Sequence, residues 1–438
     1  MTTTDEDVHE DVRPGRQRIA LALAVAITVP GLVLRVTDAH LSEPLLALLF
    51  GLAIVGAAFL LSWAAEVAQL DISAGLAIAL LAFIAVLPEY AVDLVFAIKG
   101  GNAYEHTGRA CLAPGGGESP CGLALANMTG ANRLLIGVGW SVVGFIAYRQ
   151  WTKRGQPERG REIRLDRSHS VELAFLVVAT AYSLTLPLKR SITLVDAAVL
   201  VTIFVLYTVR ISRAPAEEPH LVGPARWLGG FDVARRRASV VALFVFAASV
   251  ILLCAEHFAE ALVGTGKSLG VSEFLLVQWL APLASEAPEL LVAGLYAWRL
   301  NTNAALGTLV SSKVNQWTLL VGTLPVAFAL ASGGLHGLPI VGNQREELFL
   351  TAAQSAFAVA ILVNLSMSVK EAGLLLGLFT VQFVAGAVGP AAIHDEVRIL
   401  TGVAYLALAI AVFLRSRRQV PALLRDGLRT SYAVMSSE

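Results

Sequence analysis

The chain has 438 residues, 56% of them hydrophobic and 15% charged, and its 33 basic residues balance 33 acidic ones. Soluble domains average about 45–50% apolar and about 25% charged residues. This composition, with a mean hydropathy of +0.68, therefore excludes an ordinary soluble fold and points to a chain solvated by lipid. Zero net charge gives no reason to expect a nucleic-acid partner.

A helix needs about 20 mostly apolar residues to cross a hydrocarbon layer roughly 30 Å thick. Residues 1–18 read as an N-terminal tail without a cleavable signal peptide. Twelve candidate spans follow, at 19–34, 44–65, 75–98, 123–147, 169–188, 191–209, 239–262, 274–298, 303–330, 348–368, 372–388 and 399–414. The predicted fold class is an all-α membrane protein of about twelve transmembrane helices. Its first half covers 19–209 and its second 239–414, joined by a basic linker at 210–238 that holds Pro215, Pro219 and Pro224. Residues 415–438 form a second tail.

Lysine and arginine accumulate on the cytoplasmic side of membrane proteins. With the N-terminus inside, 23 of the 33 basic residues fall on that side, densest in Arg149–Arg167, Arg210–Arg237 and Arg415–Arg429. Both termini are thus predicted to be cytoplasmic, and a bacterial inner membrane is the expected setting. Cys111 and Cys121 share the loop 100–122 on the outer side, where a disulfide is permitted. Cys254, inside a span, reads as packing.

Two segments resemble each other. AFIAVLPEYAVDLVFAIKGG from Ala82 is followed by ALANMTGANRLLIGVG from Ala124, and WLAPLASEAPELLVAGLYAW from Trp279 by ALGTLVSSKVNQWTLLVG from Ala305. Pro88-Glu89 matches Pro288-Glu289. On the following helices Asn127 matches Thr308, Gly130 matches Ser311 and Asn132 matches Lys313. The orientation count runs the Glu89 helix outward and the Glu289 helix inward. The repeats, about 75–147 and 274–330, are therefore predicted to be inverted, an arrangement that places a site near the midplane in secondary transporters.

These paired motifs resemble the alpha-repeats of the sodium/calcium exchanger family, within the calcium/cation antiporter superfamily. The matching runs are Ala85-Val86-Leu87-Pro88-Glu89 with Ala126-Asn127-Met128-Thr129-Gly130-Ala131-Asn132, and Ser285-Glu286-Ala287-Pro288-Glu289 with Gly307-Thr308-Leu309-Val310-Ser311-Ser312-Lys313. The resemblance implies a ten-helix core in which Glu89 and Glu289 face each other and bind transported cations. It also implies alternating access by sliding of the first helix of each half. Several positions depart from the family pattern. Lys313 stands for an asparagine, Ala85 and Val86 for hydroxyl residues, and Leu135 and Gln316 for frequent Asn or Asp. Asp93 and Glu286 are additional acids.

Buried ionisable groups in a membrane cost about 2.5–3.5 kcal/mol each and mark ion or proton paths. Hard cations take oxygen ligands, which Glu89, Glu289, Asn127, Ser285, Thr308 and Ser312 can supply. Glu89 and Asp93, and Glu286 and Glu289, share helix faces by their spacing. Pro88 and Pro288 each open a helical hydrogen bond. Asn132 and Lys313 complete the candidate cation-binding or proton-coupling set. With Arg133 and Lys313 against four carboxylates, the cluster is two negative charges in excess. Lys313 is expected to pair with Glu289 or Glu286 until an arriving cation or proton displaces it, and Arg133 to snorkel or pack near the outer interface.

The function expected is exchange of Ca2+ or another cation for H+ or Na+. The alternative is a non-transporting scaffold or sensor in which Lys313 blocks the site. No enzymatic nucleophile or metal motif is present, and no cofactor is expected beyond transported Ca2+, Na+ or H+. The partners are inorganic cations and the lipid bilayer. Gly264-Thr265-Gly266-Lys267-Ser268 imitates a phosphate loop but follows a membrane helix rather than a strand, so nucleotide binding is not expected. Oligomeric state stays open.

Overall fold

The computed structural model describes residues 14–37, 41–71, 87–107, 111, 118–214, 221, 223–388 and 393–435. These residues are almost entirely helical. In the first half, α1 (Pro14–Thr37) and α2 (Glu43–Ala68) precede α3 (Leu87–Thr107). α4 (Pro120–Leu134) passes through a π-helical turn, Leu135–Trp140, into α5 (Ser141–Lys153). Strand β1 (Glu162–Arg164), α6 (Ser170–Ser183), β2 (Ser191–Ile192) and α7 (Leu194–Ile211) follow.

The second half repeats this order. α8 (Val233–Leu269) and α9 (Glu273–Trp298) lead to α10 (Thr302–Asn315). A second π-helical turn, Gln316–Leu320, opens into α11 (Val321–Ala331). Then come β3 (Leu338–Pro339), α12 (Gln344–Leu362), β4 (Ser366–Ser368) and α13 (Val369–Val388). α14 (His394–Ser416) and α15 (Val420–Leu428) close the chain. The two π-turns fall at matching places, on the helix after each Pro-Glu helix.

Each of the twelve predicted spans falls on a helix, although the start of 75–98, with Ala85 and Val86, lies outside the described residues. Among the described residues, nine helices are long and apolar enough to cross a membrane. The other three, α3, α9 and α12, carry Glu89 and Asp93, Glu286 and Glu289, and Glu346 and Glu347. Their polarity is tolerated because protein covers it. α12 is buried over nearly its whole length, whereas α1, α8 and α14 turn rows of exposed apolar side chains outward.

Two boundaries differ from the sequence reading. α8 runs on to Leu269, so the residues that imitate a phosphate loop are helical, and the helix stops where Gly270 takes the left-handed conformation (φ 65°) suited to glycine. The C-terminal tail is also structured. α15 docks on the start of α6, where Gly427 abuts the Ser170 carbonyl and a Cβ would stand 2.2 Å from it. Arg167 Nε donates to Asp426 Oδ2 at 2.9 Å, and Arg210 donates to the carbonyls of Gly427 and Thr430.

The Arg167 guanidinium bonded to Asp426 holds that carboxyl below its ordinary range. A depressed carboxylate stabilises the docked state above its unfolded pKa of about 4, and that contribution is lost as pH falls further. Hydrogen-exchange protection over residues 420–428, corrected for the intrinsic rate at each pH, should accordingly fall roughly tenfold below about pH 4, and Arg167→Ala should produce the same loss of protection at neutral pH.

The halves are stitched at two places. β1 pairs antiparallel with β4, Glu162 opposite Ser368, and β2 pairs with β3, Ser191 opposite Pro339. Cys111 and Cys121 form a disulfide, packed on Gly100 of α3.

A close helix crossing sets the Pro-Glu helix of one half against the polar helix of the other. Pro282 has no N–H for the Gln278 carbonyl one turn back, and that carbonyl lies against Gly130 of α4. A Cβ on Gly130 would sit 1.8 Å from it. Gly130→Ala should therefore push α4 and α9 apart and cost at least about 1–3 kcal/mol, read as a lower thermal unfolding midpoint in detergent.

Candidate functional site

The site forms where α3 and α9 meet the polar turns of α4 and α10. Glu89, Asp93, Asn127, Asn132, Lys313 and Gln316 are at most 1% exposed, and Glu286 is 3% exposed. Glu289 is half-buried. Three carboxyls stand together: Glu89 and Glu286 share Gln316 Nε2 as a donor, and Glu289 follows Glu286 by one helical turn. The pairing expected between Glu89 and Glu289 thus runs through Gln316 and Glu286. Adjacent carboxylates repel, so such a cluster holds together only with a shared proton or a cation between its members.

Neutral donors tie the cluster to α10 and its π-turn. Gln316 Nε2 donates to Glu286 Oε1 at 2.8 Å and to Glu89 Oε2 at 3.4 Å. Ser312 Oγ donates to Glu289 Oε2 at 2.6 Å. Glu89 Oε1 and Glu286 Oε2 are buried with no donor, which leaves two anionic oxygens to be satisfied by a proton or a metal ion.

Asp93 stands one turn behind Glu89 and accepts from Asn127 Nδ2 at 2.8 Å, while Asp93 Oδ2 and Asn127 Oδ1 are left without donors. Ser285 and Thr308 spend their protons on carbonyls of their own helices, at Ala281, Pro282 and Ala304. Their oxygen lone pairs stay available to a cation. Among the described residues, no three His, Cys, Asp or Glu side chains converge as a ready metal cage. A hard cation here would draw its shell from carboxylate, hydroxyl, amide and backbone oxygens together.

A cavity of about 380 Å³ reaches this cluster from one end of the bundle. Its inner wall carries Pro88, Ser285, Glu289, Thr308 and Ser312. Its outer part carries Glu66, Glu172 and Tyr296, which lie at the ends of α2, α6 and α9. Glu89, Asp93, Asn127, Asn132, Glu286 and Lys313 do not line it, so the polar residues behind Glu289 are sealed on this side. The hydroxyl of Tyr207 meets that of Ser311 at 2.7 Å on the cavity wall.

Two expectations are corrected. Lys313 does not pair with Glu289 or Glu286. Its ammonium donates to the Asn132 carbonyl at 2.9 Å and to the Asn132 side-chain oxygen, with the Trp317 ring 5.1 Å away. Asn132 offers Lys313 two oxygens at once, from its backbone and its side chain. Of the two readings of Arg133, snorkelling falls and packing stands. The residue is 2% exposed and bonds Glu347 at 2.5 Å, and the other Glu347 oxygen takes Arg398 at 2.5 Å. A buried guanidinium needs such a partner, and the pairing removes Arg133 from the charge balance of the site.

Gln316 and Glu347 are the residues that sequence reasoning missed. Gln316 was visible only as a departure from the family pattern, although it lies one helical turn after Lys313 on the same polar stretch. Glu347 fell in the predicted loop just before a span, where a charge attracts no notice.

The family model described as sodium/calcium exchanger protein matches residues 43–212 and 239–388. A crystal structure of the H+/Ca2+ exchanger CAX is 40% identical, covers 96% of this chain and 99% of its own, and superposes with a TM-score of 0.84. The structure of native YfkE shares the fold at 15% identity, with a TM-score of 0.53, 90% of this chain and 99% of that chain covered. A comparison with curated proteins gives no match.

Proposed function

The chain belongs to the sodium/calcium exchanger family, and from that premise we propose that it is a secondary-active antiporter exchanging Ca2+ for protons across a bacterial inner membrane. The observation that carries the reading is the cluster Glu89, Glu286 and Glu289 at the crossing of two Pro-Glu helices, tied together by Gln316 and reached at Glu289 by a cavity from one end. One divalent ion or two protons can satisfy the same oxygens. A site that accepts either, never both, is the requirement for obligatory exchange. The similarity to an H+/Ca2+ exchanger over nearly the full chain supports protons over Na+ as the counter-ion.

In this reading twelve helices span the membrane with both termini cytoplasmic, and the repeats are inverted. The contacts agree with that topology. β1–β4 and Arg167–Asp426 join segments that the charge count puts inside, as does Arg236 with Asp71 at 2.7 Å. β2–β3, Cys111–Cys121 and Glu347–Arg398 join segments that it puts outside. The cavity ends at Glu66, Glu172 and Tyr296, so it opens to the cytoplasm, and Glu66 and Glu172 give its mouth an acidic lining that draws cations in.

Glu89, Glu286 and Glu289 bind the ion or the protons, and Ser285, Thr308 and Ser312 complete the shell on the open side. Asp93 and Asn127 do so on the closed side. Sliding of α2 and α8 across the other helices exposes the two sides in turn. In proteoliposomes, a pH gradient should drive Ca2+ uptake that a protonophore collapses. Ca2+ movement indifferent to the gradient, or no movement at all, would refute the assignment.

A further inference from the structure

The geometry around Lys313 points to a role in ion selection, and we infer that its ammonium is a permanent, tethered monovalent cation that occupies a position an alkali ion would otherwise fill. The inference rests on the antiporter reading. Lys313 is fully buried and its charge meets oxygen, not carboxylate. Asn132 Nδ2 is tied to the Met128 carbonyl at 2.8 Å, which fixes the amide so that its oxygen faces the ammonium. With the Asn132 backbone carbonyl and the Trp317 ring, this is a small oxygen-and-π cradle around one positive charge.

Arg133, next to Asn132 in the chain, is already paired with Glu347, so it leaves the oxygens of the cradle to Lys313. Lys313 and Asn132 are matched positions of the two repeats. The side chain of one repeat therefore fills a cradle walled by its own counterpart. A charge held by covalent bonds cannot be carried across, nor can it leave to admit Na+ or K+. The exchanged counter-ion must then enter at the carboxyls, where protons bind.

Lys313→Asn removes the fixed charge and adds a third amide oxygen, leaving a vacancy suited to an alkali ion. Wild-type protein should show Ca2+ uptake that is the same in Na+, K+ and choline media, and no thermal stabilisation by Na+ or K+ in detergent. Lys313→Asn should be stabilised by Na+ or K+, and its Ca2+ uptake should differ at least about tenfold between alkali and choline media. Lys313→Met, which supplies no oxygen, should show neither response.

A folded Lys313→Asn protein that is neither stabilised nor altered in transport by alkali ions overturns the inference. Wild-type uptake driven by a Na+ gradient overturns it without any variant. The stabilisation measurement reads the cradle even if no Ca2+ moves, so failure of the transport assignment is distinguishable from failure of this one.

Discussion

Glu89→Gln and Glu289→Gln should each abolish proton-driven Ca2+ uptake while leaving the protein folded. The amide keeps the size of the carboxyl and can still meet Gln316 or Ser312, whose side-chain groups both donate and accept. What disappears is the charge that neutralises a divalent ion. Removing one partner of a buried charge pair costs about 3–5 kcal/mol, which is at least ~100-fold in apparent Ca2+ affinity. Flux assays in proteoliposomes, with unfolding midpoints as the control, read both effects. Asp93→Asn should weaken uptake less, because Asp93 stands a turn away with Asn127 as its own partner. Wild-type flux in Glu289→Gln would remove the ion from the open side of the site and leave the cavity without a purpose in transport.

The second large effect is on stability. Glu347 holds Arg133 with one oxygen and Arg398 with the other, and its side chain is 2% exposed. Glu347→Gln leaves the buried Arg133 without a carboxylate, facing only the neutral amides of the new side chain and of Gln382, while Arg398 keeps Asp395 at 2.7 Å. The expected loss is about 3–5 kcal/mol, the range for breaking a buried pair by removing one partner. The effect should appear as a lower unfolding midpoint in detergent and a smaller folded fraction on size exclusion. Replacing Arg133, Glu347 and Arg398 together by apolar residues of similar volume should recover most of the loss, since a buried ion cluster and a well-packed apolar one are often equivalent. A Glu347→Gln protein as stable as wild type would mean that water reaches the cluster.

Much of this was legible in the sequence for a physical reason. Apolar runs long enough for a bilayer rarely occur in water-soluble folds, and Pro-Glu pairs inside two of them contradict their surroundings strongly enough to announce a site. The π-turns left no such mark, since Leu135–Trp140 and Gln316–Leu320 are ordinary helical sequence. The direction of Lys313 was also hidden. Periodicity tells which face of a helix a residue occupies but not which of several polar neighbours wins its proton. Here Asn132 offered two oxygens at once. The docking of α15 depends on Gly427 and Ser170, far apart in the chain and unremarkable in composition.

The strand pairs carry a consequence for how the chain is made. β1 and β2 emerge with the first half, yet their partners β4 and β3 lie near the close of the second. Through most of synthesis both edges must wait unpaired at the two membrane faces, and loop closure over so long a span is slow. The order of insertion is therefore written into the fold. The early helices can enter the bilayer one by one, but neither strand pair can close until β3 and β4 have been made.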